Sequence, residues 1–319
     1  MQNLETFAAE RLAAMDAKHL RRTLVDSERE GSIWMIRGGK KLLSFSCNDY
    51  LNLSQHPVVK EAAIAAIKQF GVGAGASRLI TGNHPLFSQL ETRLAKLKGA
   101  EAACVFGSGY LANTGIIPTF AGRNDLILID ELAHACIRTG AQVSGAKTMN
   151  YHHNDLNHLT ELLKAHRSNH RHALIATDGV FSMDGDLAPL PELCDIAEEF
   201  DAWLLSDDAH GVGVIGGGRG STFAHERPAK VPLQMGTLSK AIGGYGGYIC
   251  ASSAVIDLIK TQARTLIYST GLPPASVAAA LAALDIIENE PDHAAMPLKK
   301  ALNFTSRAGL QDAVSPIVP

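Results

Sequence analysis

Apolar residues fall at Leu4, Phe7, Ala8, Leu12 and Met15. That spacing predicts a helix over residues 3–22 with charge on its other face. Two short apolar runs, 33–36 and 42–45, flank Gly38-Gly39 and predict a pair of strands. An alternation then begins. Pro57 opens a predicted helix over 57–69 that stops at Gly71, and a second over 86–97 stops at Gly99. Short, continuously apolar strands are predicted at 102–106, 126–129, 173–177, 203–206, 233–236 and 248–251. Helices are predicted after Gly109, near 133–142, at 189–199 and at 297–308. Such an alternation predicts an α/β fold with a mostly parallel sheet flanked by helices. In these sheets ligands bind beyond the carboxyl ends of the strands, so the residues there are the candidate site.

Composition narrows the field. The chain has 319 residues, 46% hydrophobic and 19% charged, too apolar for disorder and long enough for about two domains. Its net charge of -3 provides no basic field for nucleic acid. The most apolar windows, 241–259 and 271–287, contain glycine or proline and one Asp each, Asp257 and Asp285. They read as buried segments and not membrane spans. The N-terminus is polar and mixed in charge, with no apolar core of a secretory signal. The five cysteines form no C-x-x-C pair; they read as small buried hydrophobes in a reducing, cytoplasmic setting. His152, His153, His158, His166, His170 and His172 lie among polar residues without ligand spacing. They read as solvated, and no metal site is predicted.

Five strand ends carry chemistry. Gly107-Ser108-Gly109-Tyr110 follows the first strand of the alternation and opens a helix, whose free N–H groups favour an anion such as phosphate. His134 lies just after the second strand, where it could stack on a planar ligand. The third is followed by a polar, glycine-punctuated segment, 178–186, which also reads as an ordinary turn. Asp207 ends the fourth strand, with His210 three residues later. A carboxylate there needs a partner, and a heteroaromatic N–H would serve. Thr237, Ser239 and Lys240 follow the fifth. A lysine among apolar and small residues has its amine made nucleophilic by burial. Together these suit pyridoxal 5′-phosphate, which needs an imine-forming lysine, an acid for its ring nitrogen and a phosphate cradle.

The segments SCNDYLNLSQHP, GVGAGASRLITGNHPLFSQLE, FGSGYLANTG, DELAHAC, DGVFSMDGDLAPL, DDAHGVGVIGGGRGS, TLSKAIGGYGGY and LIYSTGLPP resemble those of the α-oxoamine synthases, fold-type I pyridoxal-phosphate-dependent transferases. The resemblance runs in order over about residues 20–290. It implies that Lys240 is the Schiff-base lysine, that Asp207 pairs with the pyridine nitrogen, and that His210 meets the ring hydroxyl. It implies that His134 stacks on the ring, that Ser182 lies beside it, and that Gly109, Tyr110 and Thr237 surround the phosphate. Arg21, Asn48 and His134 would face the substrates. The family's active site lies between two subunits, which implies a homodimer in which Thr270 reaches the neighbour's cofactor.

Members of the group condense a small amino acid with an acyl thioester. DDAHG, GGYGGY and LIYSTGLPP look most like members that join L-alanine to pimeloyl-CoA or a pimeloyl carrier protein in biotin synthesis. Siblings that take glycine or serine are the alternative, as is a non-catalytic subunit. A nicotinamide oxidoreductase is disfavoured: Gly216-Gly217-Gly218-Arg219-Gly220 is not a strand–GxGxxG–helix unit near the N-terminus. Three regions are expected: an N-terminal segment, 1–45; a large cofactor-binding domain, 46–285; and the start of an incomplete small domain, 286–319, with a strand at 313–319. The family's carboxylate-binding arginine would belong to the remainder of that domain. Asn52 departs from the pattern, because the family usually has glycine there.

Overall fold

A computed structural model describes residues 3–30 and 33–319, and its contacts divide the chain into two units, Met1–Cys47 and Asn48–Pro319. In the first, α1 (Leu4–Asp16) is capped by Asn3, whose side chain accepts the Thr6 N–H at 2.8 Å. The helix ends six residues earlier than its apolar spacing predicts. His19 takes a positive φ of 54°, and Arg21 pairs with Asp16 at 2.8 Å. Three short strands follow: β1 (Ser27–Glu30), β2 (Trp34–Arg37) and β3 (Lys40–Leu43), an antiparallel sheet in that order. The predicted pair is β2 and β3. The strand β1 was not predicted, because Ser-Glu-Arg-Glu has no apolar signal; it exists as the partner of β2's other edge.

The second unit opens with α2 (Pro57–Phe70) and α3 (Pro85–Lys98), each with proline at its first turn. Then come β4 (Ala102–Phe106), α4 (Gly109–Phe120), β5 (Leu126–Asp130) and α5 (Ala135–Ser144). They are followed by β6 (Lys147–Tyr151), α6 (Leu156–His166), β7 (Ala173–Asp178), α7 (Leu190–Glu199) and β8 (Trp203–Asp207). The last elements are β9 (Leu233–Thr237), β10 (Gly247–Ala251), α8 (Ser253–Gln262), α9 (Arg264–Ile267), α10 (Pro274–Asn289) and α11 (Pro291–Ala308).

The sheet order is β4-β10-β9-β8-β7-β5-β6. The β9-β8-β7-β5-β6 pairs are parallel, and β10 runs antiparallel between β4 and β9. The carboxyl ends of β4, β9, β8, β7 and β5 therefore share one edge. β5 and β7 are buried at every position, as expected of strands covered on both faces. One core cluster joins α2, α3 and α10 to the sheet; another joins α4, α5, α8 and α9; a third joins α6 and α7. The strand β6, Lys-Thr-Met-Asn-Tyr, is an edge with only Tyr151 buried, which is why its sequence carries no strand pattern.

Residues 313–319 form no strand. A strand needs a ladder, and none of the described strands pairs with this segment. Among the described residues, no helix is long and apolar enough to cross a membrane. Asn52 explains the departure from glycine: its φ of 55° and ψ of 27° are left-handed, a region that asparagine visits more readily than other side chains.

Behind the sheet edge lies a buried ion pair. Lys98 Nζ stands 2.7 Å from Asp208 Oδ2 and donates to the Arg219 carbonyl at 2.7 Å. The Ser221 N–H donates to Asp208 Oδ1 at 3.0 Å. Removing one member strands the other in the core. Lys98→Met should lower unfolding stability by about 3–5 kcal/mol, with Lys98→Met/Asp208→Asn recovering much of the loss; urea unfolding checks both. Asn52→Gly should be tolerated, whereas Asn52→Val should cost about 1–2 kcal/mol in the same measurement.

Candidate functional site

Register sets the phosphate side of the site. Gly247, the first residue of β10, pairs with Phe106 on one side and Thr237 on the other. The turn after β4 thus meets the end of β9. The approach is close: a Cβ on Gly247 would lie 2.5 Å from the Gly109 nitrogen. One on Gly109 would lie 3.5 Å from Thr237 Cβ. Ser108 caps α4 by accepting the Leu111 N–H at 3.1 Å. Thr237 Oγ1 lies 2.8 Å from Ser239 Oγ and donates to the Gly246 carbonyl at 2.8 Å. A helix start and two hydroxyls therefore converge beside Gly109, a donor set suited to a phosphate. Tyr110 is half-exposed, its hydroxyl donating to Thr139 Oγ1 at 3.1 Å.

Asp207 closes β8 and is 4% exposed. Its Oδ1 accepts the Ala209 N–H at 3.0 Å, and its Oδ2 accepts Asn113 Nδ2 at 2.7 Å. The Cys136 thiol lies 3.8 Å from the same Oδ2. Asp178, directly beside it in register on β7, is also buried. Burial, and then the charge of Asp207, raise the Asp178 carboxyl well above the usual range.

His134 caps α5. Its Nδ1 accepts the Cys136 N–H at 3.2 Å and lies 2.8 Å from Cys136 Sγ. With Nδ1 an acceptor, the ring proton is assigned to Nε2. Its own N–H donates to Asp178 Oδ1 at 3.1 Å, and the residue is exposed. Burial and the Asp207 charge push the Cys136 thiol up to about 12, so it stays protonated.

His210 is buried and bonded at both ring nitrogens. Nδ1 lies 2.7 Å from the Tyr50 hydroxyl, and Nε2 lies 2.8 Å from Lys240 Nζ. Burial, then the charge of Lys240, lower the His210 pKa to about 3, leaving the ring neutral. Burial likewise lowers the Lys240 ammonium, against the opposing pull of the Asp207 charge. The amine is thus more easily freed of its proton than an exposed lysine's.

Other expected residues stand apart. Arg21 pairs with Asp16 inside the first unit. Asn48 opens the second, its carbonyl accepting the Tyr50 N–H at 2.9 Å. Ser182 lies half-buried in the turn after β7. Thr270 is exposed and bridges Ser77. Residues not singled out from sequence complete the arrangement: Tyr50, Asn113, Cys136 and Asp178. Tyr50 and Asn113 lie inside quoted motifs, but their partners are 160 and 94 positions away. Three cysteines are buried as expected, whereas Cys194 is only partly buried and Cys47 is exposed. His153 is not simply solvated: its ring lies between Asp130, at 3.0 Å, and Asp186, at 2.8 Å.

These residues fit pyridoxal 5′-phosphate. One sheet edge presents an amine, a buried carboxylate whose lone pairs are held by N–H donors, and a cradle of helix start and hydroxyls. Comparison with known proteins agrees. The family description "Aminotransferase class I and II" matches residues 40–305. The 8-amino-7-oxononanoate synthase of Beijerinckia indica subsp. indica is 62% identical over 319 residues, covering 100% of this chain and 83% of that protein. That of Methylocella silvestris is 68% identical over 285 residues, covering 89% and 81%. Among solved structures, the serine palmitoyltransferase of Sphingomonas wittichii has a TM-score of 0.89 at 29% identity, covering 98% of this chain and 82% of that one. The chain belongs to the aminotransferase class I and II family and, within it, to the α-oxoamine synthases, acyltransferases that depend on pyridoxal 5′-phosphate.

Proposed function

We propose that the chain condenses L-alanine with a pimeloyl thioester, carried on coenzyme A or on an acyl carrier protein, to give 8-amino-7-oxononanoate, carbon dioxide and free thiol in biotin synthesis. The observation that carries the reading is the Lys240 amine bonded to neutral His210 on the sheet edge that presents the buried carboxylate of Asp207. The choice of substrate is supported by relatives 57–68% identical that bear the name 8-amino-7-oxononanoate synthase. The likeness to a serine palmitoyltransferase stands at 29% identity, and substrate choice within one fold rests on a few pocket contacts.

When bound, pyridoxal 5′-phosphate supplies a ring that accepts electrons from the α-carbon of the amino acid. Asp207 keeps a proton on the ring nitrogen, and the donors from Ala209 and Asn113 hold it in place for that task. His210, being neutral, bonds the ring hydroxyl without adding charge. His134 would lie over the ring face, with its Nε2–H available to a substrate carboxylate. Ser182 would lie beside the ring. Gly109, Tyr110 and Thr237 hold the phosphate. Lys240 would hold the cofactor and, as a free amine, move the proton at the α-carbon. Asn48 would face the substrates. The working form is a homodimer in which Thr270 reaches the second site. The α-carbon attacks the thioester carbonyl, the thiol leaves, and the carboxyl departs as carbon dioxide.

Steady-state assays across amino acids and acyl thioesters test the substrates. L-Alanine with pimeloyl thioester should give the highest kcat/KM. A preference for glycine with acetyl- or succinyl-CoA, or for serine with palmitoyl-CoA, would assign the chain to a sibling synthase instead. Lys240→Ala should abolish turnover.

The neutral His210 also makes a pH prediction. Its folded pKa of about 3 lies below the unfolded value of about 6.5. The unfolded state therefore binds the extra proton between these values, and folding stability falls as pH falls through that window. Relative to His210→Gln, the wild type should lose up to about 1.4 kcal/mol per pH unit below pH ~6.5 and nothing above it. Urea unfolding as a function of pH reads the difference.

A further inference from the structure

The Tyr50 hydroxyl, His210 and the Lys240 amine form one unbroken chain of hydrogen bonds, 2.7 Å at Nδ1 and 2.8 Å at Nε2. The Tyr50 and His210 ring centroids are 6.1 Å apart and tilted by 56°, so the two residues meet through oxygen and nitrogen and not by stacking. The segment that carries Tyr50 is firmly seated. Leu51 and Leu53 are buried in the core cluster that also holds Val212, Leu238, Ala241 and Ile242. A Cβ on Gly243 would lie 2.4 Å from the Ser54 nitrogen. The backbone after Tyr50 thus packs directly on the loop after Lys240.

We propose that Tyr50 is a positioning residue which, through His210, carries the proton away from Lys240 and so readies the amine to capture the cofactor. The inference rests on Lys240 as the cofactor-holding amine. In the resting arrangement the Lys240 ammonium donates to Nε2, and the Nδ1–H donates to the Tyr50 oxygen. In transfer, an N–H bond of Lys240 breaks as Nε2–H forms. The Nδ1–H bond breaks as its proton passes to the Tyr50 oxygen, and the original phenol proton leaves to water, since Tyr50 is only partly buried. Afterwards the Tyr50 hydroxyl donates to Nδ1, and Nε2–H donates to the neutral amine. One proton has left Lys240, and neither His210 nor Tyr50 has gained or lost charge. Burial suits this arrangement, because a route that left an imidazolium beside a second cation would be opposed by desolvation and repulsion. Among the described residues, the charged and titratable groups facing the chain include Asp207, Asp178 and Cys136 around Lys240, and His134 near His210.

Two readouts test the relay in the cofactor-free chain. The first is 15N NMR of His210, assigned by difference from His210→Gln, over about pH 6–10. The relay predicts a switch from the Nδ1–H to the Nε2–H tautomer as Lys240 loses its proton, absent in Lys240→Ala. A single tautomer throughout the range overturns it, without any need for a Tyr50 variant. The second is the rate at which the chain captures pyridoxal 5′-phosphate, followed by absorbance. Tyr50→Phe should slow capture about tenfold near pH 7 and move the rate profile to higher pH, while leaving the thermal midpoint near that of the wild type. A wild-type rate and profile in Tyr50→Phe overturns the relay alone. Undiminished capture by Lys240→Ala overturns the assignment of Lys240 instead.

Discussion

Asp207 imposes the constraint around which the site is built. Its carboxylate is buried at the end of a central strand, where an unpaired charge would cost several kcal/mol. The compensation comes from three places: the backbone of Ala209, Asn113 on α4, and the Cys136 thiol on α5. Each tie also fixes a neighbour. Cys136 holds Nδ1 of His134, and Asn113 lies on the helix that Ser108 caps beside Gly109. Asp178, one strand over, has its carboxyl raised well above the usual range by burial and by the Asp207 charge. The electrostatic demand of one carboxylate thus sets the orientation of the groups around it.

The sheet supplies the second half of the geometry. Because β10 runs antiparallel between β4 and β9, the first residue of β10 stands between the ends of those two strands, next to Gly109 and Thr237. On the parallel side, β7 and β8 bring Asp178 and Asp207 into adjacent register. The Lys98–Asp208 pair then pins the chain immediately after Asp207 from behind. His210, three residues further on, is held between Tyr50 and Lys240. The reactive amine therefore sits among groups that are themselves immobilised by packing.

Much of this was legible in the sequence, for a physical reason. Doubly covered strands read as continuous apolar runs, and β4, β5, β7, β8, β9 and β10 were each found within a residue or so of their ends. The residues at or just beyond their ends, Gly109, His134, Asp207, His210, Thr237 and Lys240, are each ambiguous alone and point to one site only as a set and through the family resemblance. Elements held by context carry no local mark, as in the polar edges β1 and β6; α6 does carry helical spacing, at Leu156, Leu159 and Leu163, among the histidines around it. The expected strand at 313–319 had the right composition but has no ladder to join. Tyr50, Asn113 and Cys136 were missed because their partners are distant in sequence; Cys136 in particular looked like one more small buried hydrophobe. Asn52 shows the reverse case, a departure from a family pattern that one dihedral angle explains.

The central claim is that these strand ends form one cofactor site with Lys240 as its point of attachment. The most direct test is to load the protein with pyridoxal 5′-phosphate, reduce it with borohydride, and locate the resulting label by peptide mass mapping. The account predicts a single label, on Lys240. A label on any other lysine, or none at all under conditions that load a homologous synthase, would contradict it.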